Sequence, residues 1–414
     1  MAERAAATGA LRALPAARIA SFLADAAERW SDADFAPRVR ATEAIAARLG
    51  YSAPVVEYAL DRLFLGITRD ALEAAIASEL GTLGALDGVV ERRGAPAAWA
   101  RGVDRAVIVS SETTIGVALA PALFALCAKC DVVVKDRGDA LVAAFFATLA
   151  EEHPAFGAAA RARVWTGGDD PSEDALLAGA GTLVAFGRDE TLRAIRARGG
   201  TDTRFVGFGR RASIGFLARD EAAALDDRLA ERIARDALLY DGEGCLSLHA
   251  LFVEAEAEGA ALARAARTLA AACERVAVEF PGGERPAAVA AQTASYRNLA
   301  AFRAAGGRGA VLRAGDATLV VDPPSDEPPP FLPRVLPIVP VSGDDAIAAY
   351  CAAQRLPVQA IGVVWPSPRA VALAERIGAV RVAPFGELQA PPLAGHHGGA
   401  PRIADFVRWI DRDA

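Results

Sequence analysis

Cysteine is scarce in this chain: 414 residues carry Cys127, Cys130, Cys245, Cys273 and Cys351 and no others. An odd, scattered set gives no disulfide framework and fits a reducing compartment. Cys127 and Cys130 form a lone CxxC with no second pair or nearby histidine, so the sequence offers no zinc site. Long apolar runs are also lacking. The stretch from Ile115 to Ala128 is interrupted by Gly116 and Pro121 and falls short of the roughly 20 apolar residues that a membrane span needs, so it reads as a buried element. Positive charge is not in excess: the net charge is −7 and the pI near 5.4. That balance argues against nucleic acid or an anionic membrane as the main partner. No signal-peptide core precedes Asp25 and Glu28, so the expected compartment is the cytoplasm. Internal repeats and low-complexity blocks are absent too.

What remains is a normal globular balance, 53% hydrophobic and 23% charged, in a chain long enough for two domains. Up to about residue 95 the pattern is helical: Leu14, Ile19, Phe22 and Leu23 recur at near-helical spacing, as do the stretches Thr42 to Leu49 and Asp70 to Leu80. Short apolar runs then alternate with longer helical stretches. They are Ala106–Val109, Asp131–Lys135, Arg163–Trp165, Thr182–Phe186 and Arg204–Val206, the signature of βαβ units. A nucleotide-binding domain is expected over 96–218, a second α/β domain over 219–385, and a C-terminal segment over 386–414. Strand candidates in the second domain are Leu248–Val253, Val276–Glu279, Thr318–Val321 and Leu336–Val341. The proline-dense stretch from Pro323 to Pro333 reads as an extended crossing segment.

Two glycine turns compete for a phosphate. Gly207-Phe-Gly209-Arg-Arg-Ala212 follows a strand, but a dinucleotide fingerprint must open a helix, and Ser213 to Leu217 looks like another strand. Gly187-Arg188-Asp-Glu190 lies between a strand and a helix, which suits a phosphate better, although Asp189 and Glu190 are also ordinary helix-start residues. Cys245 stands in Asp241-Gly-Glu-Gly-Cys-Leu-Ser247, between a helix and a strand. Glycines there let a substrate approach the backbone, and a thiolate is the best side-chain nucleophile near neutral pH. A buried, merely packed cysteine is the competing reading. His249 lies four residues on, ~13 Å away along an extended chain at about 3.3 Å per residue, so it reads as structural. His396 and His397 are neighbours with no third ligand, and no metal is expected.

The chain resembles the long-chain acyl-CoA (fatty acyl) reductases of bacterial bioluminescence operons, a branch of the aldehyde dehydrogenase superfamily. The resemblance runs from about residue 10 to the C-terminus and rests on the order and spacing of five pieces. These are Val132-Val-Val-Lys135, Phe186-Gly-Arg-Asp-Glu-Thr-Leu-Arg193, Arg204-Phe-Val-Gly-Phe-Gly209, Tyr240-Asp-Gly-Glu-Gly-Cys-Leu-Ser247 and Pro384-Phe-Gly-Glu-Leu-Gln-Ala-Pro-Pro-Leu393. It implies two doubly wound parallel-sheet domains with an N-terminal helical region. It also implies reduction of an acyl-CoA or a carrier-protein-bound acyl group to an aldehyde by a nicotinamide cofactor, through an acyl group carried on Cys245. In that superfamily a lysine at the position of Lys135 reaches the adenosine ribose. Gly138, where NAD-preferring members often have glutamate, together with Arg137, leans towards NADPH over NADH, while Asp136 pulls the other way. Gly187 and Arg188 fall on the superfamily's phosphate-side turn, and Gly207 and Gly209 on its Glu-Leu-Gly-Gly segment. An acyl-transferase or synthetase partner and a homo-oligomer are compatible with the resemblance.

The departures carry information. Val206 to Gly209 lacks the general-base glutamate of hydrolytic members, which suits exchange of the acyl group with a thiol. The glutamate that positions the nicotinamide ribose has no clear counterpart near Pro329 to Phe331. The oxyanion-hole asparagine would fall near Ser111 to Thr114, where Thr113 or Thr114 is the substitute donor and Glu112 would repel an oxyanion if it pointed inward. An acyl-phosphate reductase, a CoA-acylating aldehyde dehydrogenase and a non-catalytic subunit retaining the fold stay open as alternatives.

Overall fold

The computed structural model describes residues 9–111, 114–138, 140–165, 171–323 and 331–413. They form two compact units, one of residues 1–48, 57–209 and 392–414, the other of residues 49–56 and 210–391.

The first unit begins with helices. Ala16–Ser31 buries Ile19, Ala20, Leu23, Ala26, Ala27 and Trp30, a stripe at helical spacing. Trp30 packs on Phe64 and Phe145 and donates to Thr148 Oγ1 at 3.0 Å. Arg38, buried, donates to the carbonyls of Trp30 and Ser31 at that helix's end, both at 3.0 Å, which complements the C-terminal dipole. The strands follow as β1 (Val90–Arg92), β2 (Ala95–Gly102), β3 (Arg105–Val109), β4 (Asp131–Lys135), β5 (Ala160–Arg163), β6 (Thr182–Phe186) and β7 (Arg204–Phe208). Helix therefore gives way to strand at Val90, five residues before the expected boundary. β5 starts and ends ahead of the expected Arg163–Trp165. The central sheet runs β5-β4-β3-β6-β7, all parallel. Its buried strands β4 and β6 show the continuous apolar runs of a sheet covered on both faces. The run from Ile115 contains the helix Leu119–Cys127, buried along almost its whole length. A separate antiparallel sheet pairs β1, β2 and the C-terminal strand Val407–Arg412.

The second unit holds β8 (Ala212–Leu217), β9 (Leu248–Glu254), β10 (Ala310–Ala314), β11 (Ala317–Val321), β12 (Val335–Val341), β13 (Val358–Val363) and β14 (Arg381–Pro384). Their order is β10-β11-β12-β9-β8-β13-β14, parallel except for the β10–β11 hairpin. Two expectations need correction. β8, placed by sequence at the end of the first domain, pairs with β9 and β13 in this sheet, so the first unit's sheet ends at Phe208 and Gly209 closes its segment. Val276 to Glu279 is the last turn of the helix Ala260–Glu279. Its short Val-Ala-Val alternation is outweighed by Leu262, Ala265, Ala266, Leu269, Cys273 and Val276, which form one helical stripe. Most of the proline-dense stretch, 324–330, lies outside the described residues. Among the described residues no helix is long and apolar enough to cross a membrane.

Candidate functional site

The turn that carries Cys245 is built by an unusual backbone. The helix Asp227–Leu238 stops, and Tyr240, Asp241 and Gly242 follow with φ of 54°, 52° and 74°. Only glycine adopts this left-handed region freely; each non-glycine residue there costs about 1–2 kcal/mol. Asp241 stays because it is over-determined. Its buried carboxylate binds Arg285, takes Arg334 Nη1 at 3.1 Å and accepts from Gly283 N at 3.1 Å. Its carbonyl accepts from Arg334 N at 2.9 Å.

The next residues are fixed from three sides. Gly244 N donates to Ser247 Oγ at 3.0 Å and Ser247 N to Gly244 O at 2.9 Å. Gln389 Nε2 donates to the same Ser247 Oγ at 2.9 Å, and to the carbonyls of Asp236 and Leu239. Ser213 Oγ donates to Cys245 O at 2.9 Å. Asp236, buried, accepts from Gly386 N at 2.6 Å, so the segment from Pro384 is tied twice to the surroundings of the cysteine turn.

Cys245 is half-buried, whereas Cys127, Cys130, Cys273 and Cys351 are buried. Burial pushes the thiols of Cys127 and Cys273 up to about 12 and that of Cys351 to about 11. Burial also raises the Cys245 thiol, but the backbone N–H groups of Cys245 and Leu246 and the charge of Arg211 act against it. Cys245 alone among the five combines groups that favour its thiolate with an opening to solvent. His249 Nδ1 accepts from Ser213 N at 3.2 Å, and its ring packs edge-on against Phe331. Burial lowers its pKa to about 4, so it is a neutral side chain joining β8 to β9. Glu243, two residues before the cysteine, lies 3.4 Å from Arg285, and partial burial raises its carboxyl.

In the first unit the strand order reverses between β3 and β6, and such a switch point opens a crevice outside the carboxyl ends of the strands. Thr114 and Gly187 follow those ends. Ser111 Oγ lies 3.5 Å from Thr114 Oγ1; Glu112 and Thr113 lie outside the described residues. Gly187 donates to Phe208 O at 3.2 Å, and Arg188, exposed, precedes the helix Asp189–Ala197 without capping it by a side chain. The first N–H groups of that helix are therefore available to a phosphate. Gly207 is in β7 and Gly209 just after it, and the next element is a strand, so the Gly207-x-Gly209 pattern opens no helix. His397 stacks on Phe208 with ring centres 4.2 Å apart, and His396 is exposed.

Lys135 and Arg137 are both engaged. Lys135 Nζ lies 2.9 Å from Glu173 Oε1 and over the ring of Trp165. Arg137 Nε donates to Ser110 O at 3.0 Å. Trp165 Nε1 is buried with no partner among the described residues, an N–H that a bound polar group would satisfy. Gly138 has φ +84°, and a Cβ there would meet only Val164 at 3.9 Å or more. These features fit the nicotinamide dinucleotide that the resemblance implies. Sequence reading assigned no role to Gln389, Ser247 and Asp241, although all three lie inside its matching segments. Glu173 and Trp165 lacked any signal, because their part depends on where the chain between them and Lys135 brings them.

The family model described as acyl-CoA reductase (LuxC) matches residues 11–409. No curated protein matches the chain. Among solved structures, proline utilization A of Bradyrhizobium japonicum is similar with a TM-score of 0.70 at 16% identity, over 99% of this chain and 44% of that one. The chain thus spans less than half of the proline utilization A chain that it matches. A NAD-dependent benzaldehyde dehydrogenase from Corynebacterium glutamicum gives 0.68 at 16% identity, over 98% and 88%. The glyceraldehyde-3-phosphate dehydrogenase GapN from Methanocaldococcus jannaschii, complexed with NADP, gives 0.67 at 10%, over 99% and 91%. The fold is aldehyde dehydrogenase-like.

Proposed function

The chain belongs to the acyl-CoA reductase (LuxC) family, and from that premise we propose that it reduces an acyl thioester to an aldehyde through an acyl group held on Cys245. The observation that carries this reading is the half-buried Cys245 in a turn fixed by Asp241, Ser213, Ser247 and Gln389. Such fixing holds a nucleophile close to its attack geometry.

The Cys245 thiolate attacks the thioester carbon, the new C–S bond forms, and the bond to the donor thiol breaks as that thiol leaves with a proton. Backbone N–H of Cys245 and the hydroxyl of Thr113 or Thr114 are the proposed donors to the oxyanion. A bound reduced nicotinamide, NADPH or NADH, supplies the hydride. Its proposed holders are Lys135, Arg137, Gly187, Arg188, Gly207 and Gly209. The thiohemiacetal on Cys245 then expels the aldehyde as its hydroxyl loses a proton, and the sulfur regains one. The donor thiol is CoA or an acyl carrier protein, the reaction is placed in the cytoplasm, and an acyl-transferase or synthetase would supply the acyl group.

The test is intact-mass analysis after incubation with a panel of acyl-CoAs and acyl phosphates and no nicotinamide. One acyl adduct is expected from the thioesters. Cys245→Ala should lose both the adduct and turnover, while alanine at Cys127, Cys130, Cys273 or Cys351 keeps them. An adduct that survives in Cys245→Ala sinks the assignment, and labelling by acyl phosphate alone moves the chain to the phosphate-using alternative.

A further inference from the structure

Asp241 and Glu243 stand on either side of Gly242 in the turn that leads to Cys245, and one guanidinium, that of Arg285, meets both carboxylates. All of these residues belong to the second unit. Arg285 comes from the loop Pro281-Gly-Gly-Glu-Arg285-Pro, which is seated on residues 50–52. The approach leaves no room for a Cβ on Gly283, which would run into Gly50 O, and Ser52 Oγ donates to Pro281 O at 2.7 Å. Arg285 Nη1 donates to the carbonyls of Leu49, Gly50 and Glu284 at 3.4, 3.3 and 2.9 Å. Its guanidinium carbon lies 4.9 Å from the centre of the Tyr51 ring. The side chain is only 11% exposed, so these neighbours fix where its charge sits.

The two carboxylates depend on Arg285 unequally. Asp241 Oδ1 takes Arg334 Nη1 at 3.1 Å, and its Oδ2 accepts from Gly283 N at 3.1 Å. Without Arg285, Asp241 stays paired and the turn keeps an anchor. Glu243 has Arg285 Nη2, 3.4 Å from its Oε2, as its one ion-pair partner among the described residues. Its side chain is 33% exposed, so water reaches it, and its Cα is at most about 7 Å from that of Cys245. Burial raises its carboxyl while Arg285 lowers it. Loss of Arg285 therefore frees a carboxylate near the cysteine and makes it a stronger base.

We infer that Arg285 protects the acyl group on Cys245 from hydrolysis by withholding the Glu243 carboxylate from water. This rests on the reading of Cys245 as the acyl carrier. Arg285 acts through Glu243 and is a positioning residue. In the step it suppresses, a free Glu243 carboxylate takes a proton from water as the water oxygen bonds to the acyl carbon. The C–S bond then breaks, the sulfur takes that proton from Glu243, and the free acid leaves.

The test uses the full chain, no nicotinamide, and the acyl-CoA that acylates the wild type most completely, following free CoA, adduct mass and free acid. The wild type should show a burst of CoA and slow release of acid. Arg285→Met should keep the burst and raise steady acid release at least about tenfold, a modest share of the 10²–10⁴-fold that a positioned general base contributes. Arg285→Met combined with Glu243→Gln should return to the wild-type rate. A merely structural role would instead slow adduct formation and the alkylation of Cys245 by iodoacetamide, and Glu243→Gln would reverse nothing. Arg285→Lys supplies a point charge for Asp241 but no fork for a second carboxylate. It should show a smaller rise, equally abolished by Glu243→Gln, and it decides the matter if Arg285→Met fails to fold. Acid release at the wild-type rate in the folded Arg285 variants, or a rise that survives Glu243→Gln, overturns the inference while leaving the acyl carrier in place. If the wild type forms no adduct, the proposed function fails and the inference falls with it.

Discussion

Gln389 Nε2 donates to Ser247 Oγ at 2.9 Å, and through it the segment after β14 holds the turn of Cys245. Ser247 Oγ also accepts from Gly244 N, so one hydroxyl orders the residue just before Cys245. Gln389→Ala and Ser247→Ala should each slow acylation of Cys245 about tenfold, since a buried group loses its partner at about 1–3 kcal/mol. The double variant should be little worse than the poorer single one, because residues in one network are not additive. Rates of adduct formation for the four proteins check this; fully additive losses would mean that the two side chains act separately.

The pH dependence of acylation should show a cysteine and no histidine. Burial raises the Cys245 thiol, and His249, lowered to about 4, is neutral throughout the working range. Below the thiol's pKa each pH unit adds about tenfold to the thiolate fraction. The rate should therefore climb steadily from pH 6 to above pH 8, and Arg211→Ala should delay the climb. A plateau by pH 7 would refute this, because it would require a stronger activating partner than the turn provides.

The parallel sheets were legible because their strands are short apolar runs between helical stretches, and period alone finds β3, β4, β6, β9 and β12. The turn that carries Cys245, between a helix and a strand, was legible by its glycines. Harder were elements whose identity depends on a neighbour. β8 follows β7 closely but pairs in the other sheet, a choice made by β9 and β13. The Val276 turn follows the helix to which it belongs. The supports of the site were least visible: Glu173 reaches Lys135 across 38 residues and Gln389 reaches Ser247 across 142. No spacing rule encodes such pairs.

Asp236 gives a stability prediction. Burial raises its pKa from 3.8 to about 7, against the N–H groups of Gly386 and Leu388. With the folded value above the unfolded one, the protonated form is favoured by folding. Its contribution is complete below about pH 4 and is lost as pH rises through the folded value. Asp236→Asn keeps an acceptor oxygen for Gly386 N and removes the titration. Urea midpoints from pH 5 to 8 should fall in the wild type, by a few kcal/mol at most, and stay flatter in Asp236→Asn. Parallel declines would show that other groups control that range.

The last prediction concerns the fate of the acyl group. β7 and Gly209 offer no carboxylate where hydrolytic aldehyde dehydrogenases hold a base, and a positioned general base contributes about 10²–10⁴-fold. Acyl-CoA mixed with enzyme and no nicotinamide should give one burst of free CoA, a persistent adduct on Cys245 and little steady release of acid. Reduced nicotinamide should discharge the adduct to aldehyde, and excess CoA should return acyl-CoA. Glu243 is the described carboxylate closest in sequence to the sulfur, and it is paired at 3.4 Å with Arg285, which keeps it from serving as a free base. Glu243→Gln should therefore leave the slow hydrolysis unchanged. If acid forms continuously at a rate comparable to reduction, and Glu243→Gln stops it, then Glu243 activates water and the chemistry is that of a hydrolytic aldehyde dehydrogenase.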